Sequence, residues 1–184
     1  MSTMYAALLR GINVSGHRRV PMAELRTLLG ELGHEAVATY LQSGNAVFRS
    51  ASGDEGALAA GLERAIEKRF GFPVDCLVRS GAYLAGVAEA CPFPAAELEG
   101  KQVHVTYFDK AVDAARFASL DADADAYRPE EFRLGDRALY LYAPDGLGRS
   151  KLAVALGRPA LNRGLVATSR NWNTVVKLVE MTRD

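Results

Sequence analysis

Residues 37–49 read VATYLQSGNAVFR, two runs of apolar, β-branched and aromatic residues broken by Ser43-Gly44. Such residues favour extended backbone. Two residues containing glycine between two such runs predict a hairpin, with strands at 37–42 and 45–49. Working outward, MYAALL at 4–9 reads as a buried strand. Pro21 opens a helix at its first position, where a missing N–H costs nothing. Met22, Leu25, Leu28, Leu29 and Leu32 then follow helical spacing, and Gly33 suits the C-terminal cap. Ser52 or Asp54 caps a second helix, with Leu58, Leu62, Ala65, Ile66 and Phe70 on one face and Gly71 and Pro73 as the stop. VDCLVR at 74–79 is a strand, and residues 81–90 form a short helix ended by Pro92.

After the segment CPFPAAELEGK at 91–101, which reads as a linker, the order recurs. Strand 103–108 is followed by helix 111–119, a hairpin of strands 131–134 and 138–142 around Gly135-Asp136, helix 150–156 and strand 165–168. A helix over about 171–182 closes the chain. The fold class predicted is α+β. It consists of two ferredoxin-like β-α-β-β-α-β halves, residues 1–90 and 102–184, each followed by an extra helix. In this unit the exit of strand one lies beside the turn between strands two and three. Residues 10–13 are therefore expected near residues 42–45.

The 184 residues are 49% hydrophobic and 24% charged, the mix of an ordinary globular protein. That excludes wholesale disorder, coiled coil and a disulfide scaffold. Twenty-two Lys and Arg balance 22 Asp and Glu, which argues against a general polyanion binder while leaving room for a local basic site. Cys76 and Cys91 form no CxxC pair and fit a reducing compartment. The start, MSTMYAALLRG, is too short in apolar residues for a signal peptide, and no run approaches a membrane span, so a cytoplasmic location is expected.

Four segments hold polar groups of the kind that bind ligands. RGINVSGHRR at 10–19 joins glycines to Arg10, Asn13, His17, Arg18 and Arg19 ahead of a helix. Free N–H groups at such a place favour an anion. QSGN at 42–45 sets Gln42 and Asn45 beside that loop. SRNWNTVVK at 169–177 opens the last helix, with Trp172, Val175, Val176 and Val179 on an apolar face and Arg170, Asn173, Thr174 and Lys177 opposite. PDGLGRSKL at 144–152 resembles a phosphate loop in composition, but its lysine follows the hydroxyl residue, and Ser150 as a helix cap is the simpler account. Each segment also has an ordinary reading as a solvated connection, a turn or a cap.

Other chemistries lack their residues. His17, His34 and His104 are scattered, and neither HExxH nor GxSxG occurs. DADADAYRPEE at 121–131 has Ala126 and Phe132 where a calcium loop needs Gly and Glu. The RNP1 pattern aligned on Gly44 places Asn45 and Val47 where stacking aromatics belong. In the second half, Tyr140 and Tyr142 share a strand face, with Tyr107 their nearest aromatic neighbour.

Taken together, ALLRGINVSG, VPM, TYLQSGNAVF, GRSKL and SRNWNTVVKL resemble the bacterial family called domain of unknown function 1697. The resemblance runs over essentially the whole chain. It implies a compact α+β fold of two ferredoxin-like halves. It implies no activity, cofactor or catalytic residue.

The expectation is a small anionic ligand, a phosphate ester or nucleotide, bound by Arg10, Asn13, Gln42, Asn45, Arg170, Asn171, Asn173 and Lys177. Arginine supplies a fork of donors to such a group. No nucleophile or general base stands out, so no reaction and no cofactor is named, and no metal is expected. The alternatives are a homodimeric interaction module and, less favoured, nucleic-acid binding through the basic loop and final helix.

Overall fold

The computed structural model describes residues 1–184, which divide into two compact units. Met1–Ala85 with Leu178–Asp184 forms the first, and Gly86–Lys177 the second. The segment Leu178–Asp184, which the sequence pattern groups with the second half, lies with the first. Its end abuts Gly81, where an added Cβ would stand 2.5 Å from the carbonyl oxygen of Thr182.

The first sheet is centred on β1, Thr3–Leu9. Every residue from Met4 to Leu9 is buried, so both faces are covered and the strand reads as one apolar run instead of alternating. β1 pairs antiparallel with β3, Asn45–Ser50, and with β4, Cys76–Ser80. β2, Glu35–Tyr40, forms the edge in the order β2-β3-β1-β4. The strands of the hairpin end at Tyr40 and resume at Asn45, so the connection is four residues and not two. Leu41, at φ +60°, and Gly44, at φ +97°, make that longer turn.

Helix α1, Met22–Glu31, starts after Pro21 and buries Met22, Leu25, Leu28 and Leu29. Each such leucine contributes roughly 1.5–3 kcal/mol on leaving water. Helix α2, Glu55–Phe70, is capped by Asp54, which accepts from the Ala57 N–H, and stops at Gly71 with φ +83°. The buried residues of both helices join Tyr5, Ala7, Leu9, Phe48 and Val78 in one core.

Helix α3, Gly81–Glu89, leads from the first unit into the second. There the order β6-β7-β5-β8 repeats the first sheet's plan, with all pairs antiparallel. Its strands are β5 Val103–Phe108, β6 Glu131–Gly135, β7 Ala138–Tyr142 and β8 Ala167–Asn171. The helix expected at 111–119 is instead a 3₁₀ turn at Ala114–Phe117 followed by two short helices, α4 Ala118–Ala122 and α5 Ala124–Tyr127. Asp113, accepting from the Ala115 N–H, starts that turn late. Phe117 and Leu120 anchor it in a core with Phe108, Phe132, Leu139 and Leu152. Helix α6 is Lys151–Leu156.

The last strand is displaced from its expected place at 165–168. Ser169, Arg170 and Asn171 belong to β8, because they pair with Thr106, Val105 and His104 of β5. The Thr106 and Ser169 hydroxyls hydrogen-bond across that pair at 2.6 Å. Helix α7, Trp172–Met181, follows directly. Arg170 is thus no part of its polar face, and Thr174 on that face is buried beside Val175.

No helix is long and apolar enough to cross a membrane.

Candidate functional site

The exit of β1 does lie against the β2–β3 turn. The Leu9 N–H donates to the Gly44 carbonyl at 2.9 Å. Glycine is required at 44: besides its positive φ, an added Cβ would stand 2.9 Å from Ile12 Cδ1 and Leu9 Cβ. Asn13 ties the two segments together. Its Nδ2 donates to the carbonyls of Val20, at 3.0 Å, and Gln42, at 2.6 Å. Its Oδ1 accepts from the Val20 N–H at 2.9 Å. Asn13 also holds φ +54°, a conformation asparagine tolerates better than most residues. Asn45 is fully buried and donates to the Tyr40 carbonyl and to Ser43 Oγ. Both amides are therefore engaged by the fold.

Beyond Asn13 the chain turns back on itself, the His17 N–H donating to the Val14 carbonyl. Arg10 and Gln42 have exposed side chains. Arg10 meets Asp75 at 3.6 Å with both groups about half exposed, a pairing that contributes little in water. Arg18 donates to the Pro73 carbonyl, while His17 and Arg19 are exposed.

Of the other four expected residues, Arg170 and Asn171 lie in β8 and Asn173 and Lys177 in α7. Arg170 is 8% exposed, and its guanidinium donates to Thr168 Oγ1 at 2.6 Å and to the Ser169 carbonyl at 2.8 Å. Burial lowers its pKa to about 10, against a smaller opposite effect of Tyr107. Asn171 caps α7 by accepting from the Thr174 N–H at 3.0 Å. Asn173 is exposed at the start of α7, packed so closely on Gly100 that a Cβ there would stand 2.3 Å from it. Lys177 is half-buried.

The aromatic residues of the second sheet do not form an open stacking surface. Tyr107 and Tyr140 are buried, and the Tyr140 hydroxyl donates to the Val87 carbonyl of α3 at 2.6 Å. Tyr142, half-buried, tilts against Phe93 at 5.8 Å.

A concave site is formed where residues 126–130 face residues 143–151. A cleft of about 250 Å³ is lined there by Arg128, Glu130, Asp145, Arg149 and Lys151, with Tyr127, Pro129, Pro144, Gly146 and Ser150. This is the PDGLGRSKL segment, set against a stretch from which the sequence picked no ligand residue. The Arg128–Pro129 peptide is cis, and Gly146 turns the chain at φ +84°. Ser150 accepts from the Ala153 N–H at 2.9 Å and donates to Glu130 Oε2. Glu130 Oε1 accepts from the Lys151 N–H at 3.2 Å. The hydroxyl is thus a cap, 4% exposed and fully engaged, and is not placed as a nucleophile. A phosphate loop holds its anion on backbone N–H groups at a helix start; here the chain's own carboxylate takes that place.

The outer wall of the cleft differs. Arg128 pairs with Asp125 at 2.9 Å, with both side chains largely exposed. Arg149 and Lys151 are exposed, and no carboxylate in the structure pairs with either. Glu130 being engaged and Arg128 paired, these two cations face one other carboxylate of the lining, Asp145. A second recess of about 130 Å³ adjoins the first and shares Tyr127, Arg128 and Glu130 with it. The sequence offered one signal for this site, the run Gly148-Arg149-Ser150-Lys151. It offered none for Arg128 and Glu130, which only the folded chain brings there.

Residues 1–140 match a protein family described as "Protein of unknown function (DUF1697)". Among solved structures, the chain resembles the conserved bacterial protein SP0830 from Streptococcus pneumoniae, with a TM-score of 0.73, 24% identity and 100% of each chain covered. That likeness is one of fold. No curated protein matches the chain.

Proposed function

The chain belongs to the DUF1697 family of proteins of unknown function, and from its own geometry we propose that it binds a small anionic ligand, a phosphate ester or nucleotide, in the cleft between residues 126–130 and 143–151. The observation that carries this reading is the surplus of exposed cation on the cleft's outer wall, Arg149 and Lys151 against Asp145. An arginine and a lysine are complementary donors to one phosphate, the first through its planar fork and the second as a point charge. No bond-breaking step is included, because Ser150 is held as a cap and its partner Glu130 is itself tied to the Lys151 N–H.

Calorimetric titration with inorganic phosphate and with mononucleotides tests it. Arg149→Ala combined with Lys151→Ala should weaken binding tenfold or more and leave unfolding unchanged, since both side chains are exposed. Equal affinity in the double variant removes the cleft from the account. Binding of oligonucleotides that fails instead on Arg18→Ala with Arg19→Ala, and falls steeply with salt, replaces it by a nucleic-acid surface at the basic loop. A stable dimer with no ligand response replaces it by the interaction module.

A further inference from the structure

We infer that the preferred ligand is an anion carrying one ring or short acyl group, a bipartite ligand whose charged end lies in the larger cleft and whose apolar end lies in the adjoining recess; this rests on the anion-binding reading above. Three residues, Tyr127, Arg128 and Glu130, form a wall common to both spaces, so one small molecule can span them. The two sides of that wall differ in their cations and in their aliphatic and aromatic lining. Arg149 and Lys151 line only the larger cleft. Leu120, Ala124, Phe132 and Leu152 line only the recess. The charged residues of the recess hold no surplus of cation: Arg133 lies 3.2 Å from Glu131 and Arg128 2.9 Å from Asp125, and Asp121 and Glu130 add two further carboxylates. An anionic group is therefore directed to the larger cleft and an uncharged group to the recess.

Size limits the uncharged group. The recess holds about 130 Å³. An apolar cavity of ~150 Å³ in another protein accommodates benzene. A single ring or a chain of a few carbons fits the recess, and a fused ring system does not. The part of such a group that covers Leu120, Ala124, Phe132 and Leu152 gains affinity by leaving water.

The test compares inorganic phosphate, phenyl phosphate and phenol by calorimetric titration on the full chain. Phenyl phosphate should bind at least tenfold more tightly than inorganic phosphate. Ala124→Leu fills the recess from the exposed side of α5 and should cut that preference below twofold while leaving the affinity for inorganic phosphate unchanged. Equal binding of the two phosphates overturns the bipartite ligand and leaves the anion site standing. A phenyl preference that survives Ala124→Leu places the ring elsewhere and also overturns it. Binding of phenol with no response to either phosphate overturns the anion site itself, and the bipartite ligand with it.

Discussion

Replacing Asn13 by alanine separates a structural amide from a ligand-binding one. The change removes two donated hydrogen bonds, to the Val20 and Gln42 carbonyls, and one accepted from the Val20 N–H. Val20 is fully buried, so its N–H loses its partner without gaining water. An orphaned buried donor costs about 1–3 kcal/mol, and each further bond contributes about 0.5–1.5 kcal/mol. Alanine must also hold φ near +54°, where a Cβ is disfavoured by roughly 1 kcal/mol. With the exposed bond to Gln42 left out, the loss should be about 2.5–5.5 kcal/mol. Urea unfolding followed by circular dichroism reads it as a lower midpoint at unchanged slope. Asn13→Gly shares the lost bonds but not the backbone strain, and should be less destabilised than Asn13→Ala. A loss under about 0.5 kcal/mol for Asn13→Ala, or wild-type stability for Asn13→Gly, refutes the argument that this side chain holds the loop.

Two further outcomes follow from buried titratable groups. Burial lowers the pKa of His34 and His104 below the ordinary 6.5, and Nδ1 of His104 has no hydrogen-bond partner. The unfolded chain takes up these protons at higher pH than the folded one. Stability should therefore decline as pH falls below about 6.5, by no more than about 1.4 kcal/mol per pH unit for each histidine, and level off below the folded pKa values. Glu63, raised above 4.5 by burial, acts with the opposite sign at the acid end of that range. His104→Gln should flatten the decline, and a flat wild-type profile between pH 5 and 7 contradicts it. In thiol labelling of the native protein, Cys91 should react first. Cys76 is buried, and its thiol is held protonated by burial and by the nearby Glu63 and Asp75 charges, so its modification should wait for unfolding; rapid native labelling of Cys76 contradicts that.

The sheets were legible because their signals are local. The apolar run at 4–9 marks a strand covered on both faces, and the hairpin around Gly44 has its turn residue in place. The predicted contact between residues 10–13 and 42–45 followed from topology alone and is made by Asn13. At the last strand, pairing outranks local pattern. SRN at 169–171 reads as the start of a helix, yet Thr106, Val105 and His104 on β5 pull it into the sheet. Asn13, Asn45, Arg170 and Asn171 stand out as polar residues in a sequence, but each has backbone or hydroxyl partners that only the fold supplies. The cleft joins two connections with no common periodicity, so composition could suggest Arg149 and Lys151 but not their setting.

A crystal structure of the protein with phenyl phosphate would locate both ends of the ligand at once. Phosphoryl oxygens should lie within about 2.7–3.2 Å of Arg149 and Lys151 nitrogens, with the ring beside Ala124. A ligand bound at the basic loop 10–19, or a cleft that remains empty at saturating ligand, contradicts binding in the cleft.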